Sequence, residues 1–107
     1  MIFDKQFEDR WFKFSLIEQM ANIGSEIGRT INWKNKDEKM SKASFERGLE
    51  LLDLTIKDCK NKKRLKELLR ARECLSDYFY FDNIYDSSDE KWNNYFYAFN
   101  YAARVNC

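Results

Sequence analysis

The sequence predicts an all-α fold, an antiparallel up-down-up-down four-helix bundle in one domain over residues 1–107, and three observations carry that expectation. The chain has no Pro and only three Gly, so the residues that punctuate tight hairpins and short strands are missing. Four stretches repeat apolar residues at spacings of three and four, the period of a helix with one buried face. Hydrophobic residues make up 44% and charged residues 35% of the 107, enough to fill one core and to solvate the surface around it.

From Trp11 to Lys34 the residues Leu16, Met20, Ile23, Ile27 and Ile31 fall on one stripe and define the first helix. Ala21, Gly24 and Gly28 lie on an adjoining face. Each helical glycine costs about 1 kcal/mol, and close approach of a neighbouring helix is the natural compensation. Residues 1–10, with Ile2, Phe3 and Phe7, either extend this helix or fold back over the bundle end. NKDEK has no apolar residue and makes the connection, with Asn35 or Asp37 available as a cap. Phe45, Leu49, Leu52, Ile56 and Cys59 then place a second helix from about Glu38 to Asp58 with those side chains inward, ended by the polar run Lys60 to Lys63. Leu65, Leu68, Leu69, Leu75 and Phe79, with Ala71 and Cys74 alongside, define a third helix ending near Tyr80. FDNIYDSSDE breaks the periodicity, and its Ser87 and Glu90 have the spacing of a capping box. The fourth helix buries Trp92, Tyr95, Phe96, Phe99, Ala102 and Ala103, with Tyr97 and Tyr101 toward its edges. The expected core is Leu16, Met20, Ile23, Ile27, Ile31, Leu49, Leu52, Ile56, Leu68, Leu75, Phe79, Trp92, Phe96 and Phe99.

Several chemistries are closed to this chain. It has no His, which removes Ser-His-Asp and Cys-His nucleophiles, His-containing zinc sites and imidazole acid/base work. It has no phosphate-binding glycine loop either. With 19 Lys and Arg against 18 Asp and Glu the net charge is +1, so no whole-molecule field selects nucleic acid or membrane. Cys59, Cys74 and Cys107 are odd in number and form no CxxC pair, which predicts free thiols in a reducing compartment. The N-terminus MIFDKQFEDR carries acids where a secretory signal needs basic residues, and no stretch approaches the roughly 20 apolar residues of a membrane span. A cytoplasmic protein with no membrane partner is expected.

Two charge patterns remain. Lys60, Lys62, Lys63, Arg64, Lys66, Arg70 and Arg72 stand against Glu67 alone. Within that run Lys60, Lys62, Lys63, Arg64 and Lys66 form a candidate phosphate-binding patch, the alternative being a solvated turn. Asp82, Asp86, Asp89 and Glu90 form an acidic stretch suited to the start of the fourth helix. Among the remaining charges Glu26, Arg29, Glu50, Asp53, Arg72, Glu73, Asp77 and Arg104 form a candidate charged network beside the apolar stripes. Its acids have Arg29, Arg47, Arg70, Arg72 and Arg104 available as partners. No metal ligand set and no cofactor is predicted. Three Trp, six Tyr and nine Phe, 17% of the chain, exceed what one small bundle readily buries and predict a homodimer.

Glu46, Glu50 and Asp53 share one helix face, as do Glu73 and Asp77. The Glu50–Asp53 pair resembles the ExxD element of all-α nucleoside triphosphate pyrophosphatases, which implies Mg²⁺-dependent hydrolysis. Glu18 and Glu26, eight residues apart, depart from the first element of that pattern. RECLSDYF at residues 72–79 resembles the late position of a HEPN ribonuclease bundle, with Asp77 where the catalytic His would stand, and this implies an RNA-binding form without catalysis. ANIGSEIGRTINW, LELLDLTIKD, RECLSDYF, DNIY and YFYAFNYAAR together resemble a small bacterial family of uncharacterised all-α proteins. That resemblance implies no activity. It directs attention to the polar residues Asn22, Glu26, Arg29, Glu50, Asp53, Arg72, Glu73, Asp77, Asn83, Tyr85 and Arg104.

Elimination then leaves a non-catalytic interaction module, linked to a nucleic-acid-processing or defence system, whose partner is another protein. Weak RNA binding by a HEPN-like bundle and Mg²⁺-dependent pyrophosphatase activity are the alternatives.

Overall fold

Residues 4–105 are described by a computed structural model, and every regular element among them is helical. Helices α1 (Lys5–Trp11), α2 (Leu16–Trp33), α3 (Glu38–Lys57), α4 (Leu65–Tyr80) and α5 (Asp89–Val105) follow in order, with a 3₁₀ helix, Cys59–Arg64, joining α3 to α4. Ile2, Phe3 and Cys107 lie outside the described residues.

The first expected helix is divided. Asp4 caps α1 by accepting from the Phe7 N–H. Ser15 then caps α2 through a full capping box: its Oγ accepts from the Glu18 N–H while the Glu18 carboxylate accepts from the Ser15 N–H. Two orphan donors are satisfied reciprocally, so the chain gains by restarting at Ser15 rather than running on from Trp11. The corner between α1 and α2 is held by a buried polar cluster. Gln19 Nε2 donates to the Trp11 carbonyl and to Asp58 Oδ2, each at 3.0 Å, and Gln19 Oε1 accepts from Asn61 Nδ2 at 2.9 Å. Trp11 Nε1 donates to Thr55 Oγ1 at 3.1 Å. Asp58 also pairs with Lys60, whose ammonium bonds the Phe12 carbonyl. Burial alone would push the Asp58 carboxyl up, but the bonds from Lys60 and Gln19 outweigh it and hold the group below its ordinary range.

Helix α2 is the central element, packed against α3 on one side and α5 on the other, while α4 packs on α3. Eight of the expected core residues, Met20, Ile23, Ile27, Leu52, Leu68, Leu75, Trp92 and Phe96, are buried; Leu16, Ile31, Leu49, Ile56, Phe79 and Phe99 are half-buried against them. Gly24 makes the close approach: a Cβ there would stand 2.7 Å from Phe96 Cβ. Gly28 does not, since nothing lies within 4 Å of its Cβ position.

Two further expectations are corrected. Cys59 is exposed, because the backbone leaves α3 at Asp58 and turns into the 3₁₀ helix. Leu65 and Leu69, outside the expected core, are exposed, while Leu68, Ala71 and Leu75 of the same helix are buried. The cap of α5 is Ser88 rather than Ser87, with Ser88 Oγ accepting from the Lys91 N–H. Asp37 is confirmed as the cap of α3, accepting from the Met40 N–H. Among the described residues no helix is long and apolar enough to cross a membrane.

Candidate functional site

The eight residues of the expected charged network resolve into separate contacts. Glu26, buried on α2, accepts from Arg29 at 2.9 Å and from Arg47 of α3 at 3.4 Å. Asp53 of α3 is held by Arg72 of α4, whose Nε and Nη2 donate to its two oxygens at 2.6 and 3.3 Å. Glu50 is half-buried on α3, and Arg104 is exposed in the last turn of α5. Asp53 is therefore committed to a bidentate cation, and Asp77 faces backbone N–H groups. Among the described residues no three His, Cys, Asp or Glu side chains come together to hold a metal.

The basic run is partly neutralised by its own surroundings. Lys60 pairs with Asp58, and Arg64 pairs with Glu67 at 3.2 Å. Lys62, Lys63 and Lys66 are exposed without an ion pair among the described residues.

Asp77 and Glu73 organise the most distinctive surface of the molecule, the segment 81–88 between α4 and α5. Asp77 is buried at 7% exposure. Its Oδ1 accepts from the Ile84 N–H at 3.0 Å and its Oδ2 from the Tyr85 N–H at 3.1 Å, while its carbonyl accepts from the Phe81 and Asn83 N–H groups. Glu73, one turn earlier on α4, accepts from the Tyr85 hydroxyl at 2.7 Å, and this bond holds the phenol above its ordinary pKa. Asn83 and Asp86 adopt positive φ, 56° and 55°, a region Asn and Asp tolerate better than most residues. The Asn83 side chain bridges the Ser87 carbonyl and N–H at 3.1 and 2.8 Å. Asp89 receives the Tyr78 hydroxyl at 2.7 Å and Lys34 at 3.1 Å, tying the base of α5 to α4 and α2.

This tightly bonded segment displays apolar side chains to solvent. Phe81 is 73% and Ile84 75% exposed, and with Leu69 and Tyr85 they line a groove of about 520 Å³ over α4. Segments rich in internal hydrogen bonds yet apolar outside are suited to docking, because the ordering cost is met before a partner arrives. The sequence signal for it is two large apolar residues, Phe81 and Ile84, inside a polar stretch without helical register. Comparison with protein-family models, with curated proteins and with solved structures gave no significant match.

Proposed function

We propose that the chain is a non-catalytic protein-interaction module that docks through the groove of Leu69, Phe81, Ile84 and Tyr85. The single observation that carries this reading is the exposure of Phe81 and Ile84 on a segment fastened by Asp77 and Glu73. Apolar groups held rigidly at a surface are the usual anchors of protein interfaces. The reading takes α2 to α5 as an antiparallel up-down-up-down bundle with α1 over one end, which the packing of α2 on α3 and α5, and of α4 on α3, supports. It places the protein in the cytoplasm, in keeping with the free thiols of Cys59 and Cys74.

The occupant of the groove is a second copy of the chain. Lys66 lies one turn before Leu69 on α4, while Asp82 lines the groove beside Phe81. A twofold axis sets Lys66 of each copy against Asp82 of the other. Light scattering at micromolar concentration should give twice the 13.0 kDa chain mass. The double substitution Phe81→Ser, Ile84→Ser should return it to that of one chain. A single-chain mass for the unsubstituted protein would overturn the assignment.

Lys62, Lys63 and Lys66 favour a second reading, weak phosphate contact with RNA by a HEPN-like bundle. Changing Lys62 and Lys63 to Glu should then lower affinity for a single-stranded RNA and flatten its salt dependence. Absence of binding at about 50 mM salt, where such contacts are strongest, would remove this reading.

A further inference from the structure

Beside the docking groove lies a second, open concavity of about 330 Å³ whose walls include Ala71 and Cys74 from α4, Trp92 and Tyr95 from α5, and Tyr85 from the connecting segment. Its volume lies at the lower end of the range for small-molecule sites. We infer that this crevice binds a small planar aromatic anion, an aryl carboxylate, with the ring among the aromatic side chains and the charge toward Arg70 and Lys91.

Two observations, charge and shape, carry the inference, and Trp92 supplies its probe, since it lines the crevice and is 7% exposed. The first observation is charge. Arg70 and Lys91 both line the crevice. Arg70 lies 5.4 Å from the Tyr85 ring centroid and has no ion pair among the described residues. Lys91 donates to the Asp86 backbone carbonyl at 2.8 Å, which leaves its charge uncancelled. The one lining carboxylate, Glu67, is taken by Arg64 at 3.2 Å and by the Tyr95 hydroxyl at 3.4 Å. The balance in the crevice is therefore cationic and selects an anion.

The second observation is shape. Trp92 and Tyr95 meet edge to face at 5.6 Å between centroids, an arrangement that leaves ring faces and edges for a further aromatic group. Burial, aided by Glu67, pushes the Tyr95 phenol up to about 12, so it stays neutral and does not compete with the anion. An apolar centre with cations at its rim fits a short amphiphile with one charged end.

The test uses the full chain labelled with ¹⁵N and titrated with 2-naphthoate, reading the indole N–H cross-peaks, with Trp92→Phe identifying that of Trp92. The Trp92 peak should move with saturation while that of Trp11 stays in place. Arg70→Gln should weaken binding at least tenfold, and neutral 2-naphthamide should bind the unsubstituted protein at least tenfold less tightly than the acid. Arg70 is exposed, so its variant retains the fold, which the rest of the spectrum verifies. An unmoved Trp92 peak at millimolar naphthoate, or equal affinity in Arg70→Gln, would overturn the inference.

Discussion

Replacing Asp77 with Asn should unfasten the segment that presents Phe81 and Ile84. The carboxylate accepts two backbone N–H groups, from Ile84 at 3.0 Å and Tyr85 at 3.1 Å. Hydrogen bonds to a charged group contribute about 1.5–3 kcal/mol each. The amide keeps one acceptor oxygen and turns an NH₂ group toward the other N–H, so one bond is lost and the survivor loses its charge. Ile84 and Tyr85 lie in an exposed segment, where water recovers part of the loss. The balance is a destabilisation of about 2 kcal/mol, or roughly 10 °C in Tm for a domain of this size. Urea unfolding followed by helical circular dichroism measures the first quantity. Amide exchange at Ile84 and Tyr85 reports the segment itself, and both amides should lose protection in the variant. A loss below about 0.5 kcal/mol, with exchange at Ile84 and Tyr85 unchanged, would refute the claim that Asp77 organises the surface.

Three other outcomes follow from the packing and the buried polar cluster. Gly24→Ala should destabilise by about 1–3 kcal/mol despite alanine's better helix propensity, because its Cβ would meet Phe96 at 2.7 Å; urea unfolding checks it. Leu52→Ala, at a fully buried position, should cost about 2–5 kcal/mol in the same assay. Asp58 has a folded-state pKa below its ordinary 3.8, so its ionised form stabilises the fold above about pH 4, and that contribution is lost as pH falls through the lower folded value. Unfolding free energies measured from pH 6 to pH 3 should therefore fall less steeply in Asp58→Asn than in the unsubstituted chain.

Helical period is carried by side chains that the fold buries, so α2 to α5 were legible from Met20, Ile23, Leu52, Leu75 and Phe96 without any tertiary information. The break before α2 was not, although Ser15 and Glu18 have the same spacing as Ser87 and Glu90. Here the capping signal sits inside WFKFSLI, where apolar residues on both sides mask the interruption. Gln19 and Thr55 illustrate a deeper limit. Both are fully buried, but polar side chains enter a core only when a specific partner meets them, and Trp11, Asp58 and Asn61 reach them from elsewhere in the chain. Leucine errs in the opposite direction at Leu65 and Leu69, since α4 has more apolar positions than its neighbours cover. At the candidate site, Asp77, Glu73 and Tyr85 were recognisable as polar residues of interest. Their joint purpose depends on a reversal of the chain at Asn83 that no periodicity encodes.

Tyr85 stands in the wall of both concavities, with its hydroxyl on Glu73 and its ring under Arg70. If both concavities bind as proposed, an occupant of one that draws Arg70 away or fixes the ring would change the free energy of the other, and linkage requires the effect to be mutual. If an aryl acid alters self-association by some factor, self-association must alter the affinity for that acid by the same factor. A single tyrosine between two such sites would thus supply a reciprocal coupling, with no movement of the helices required.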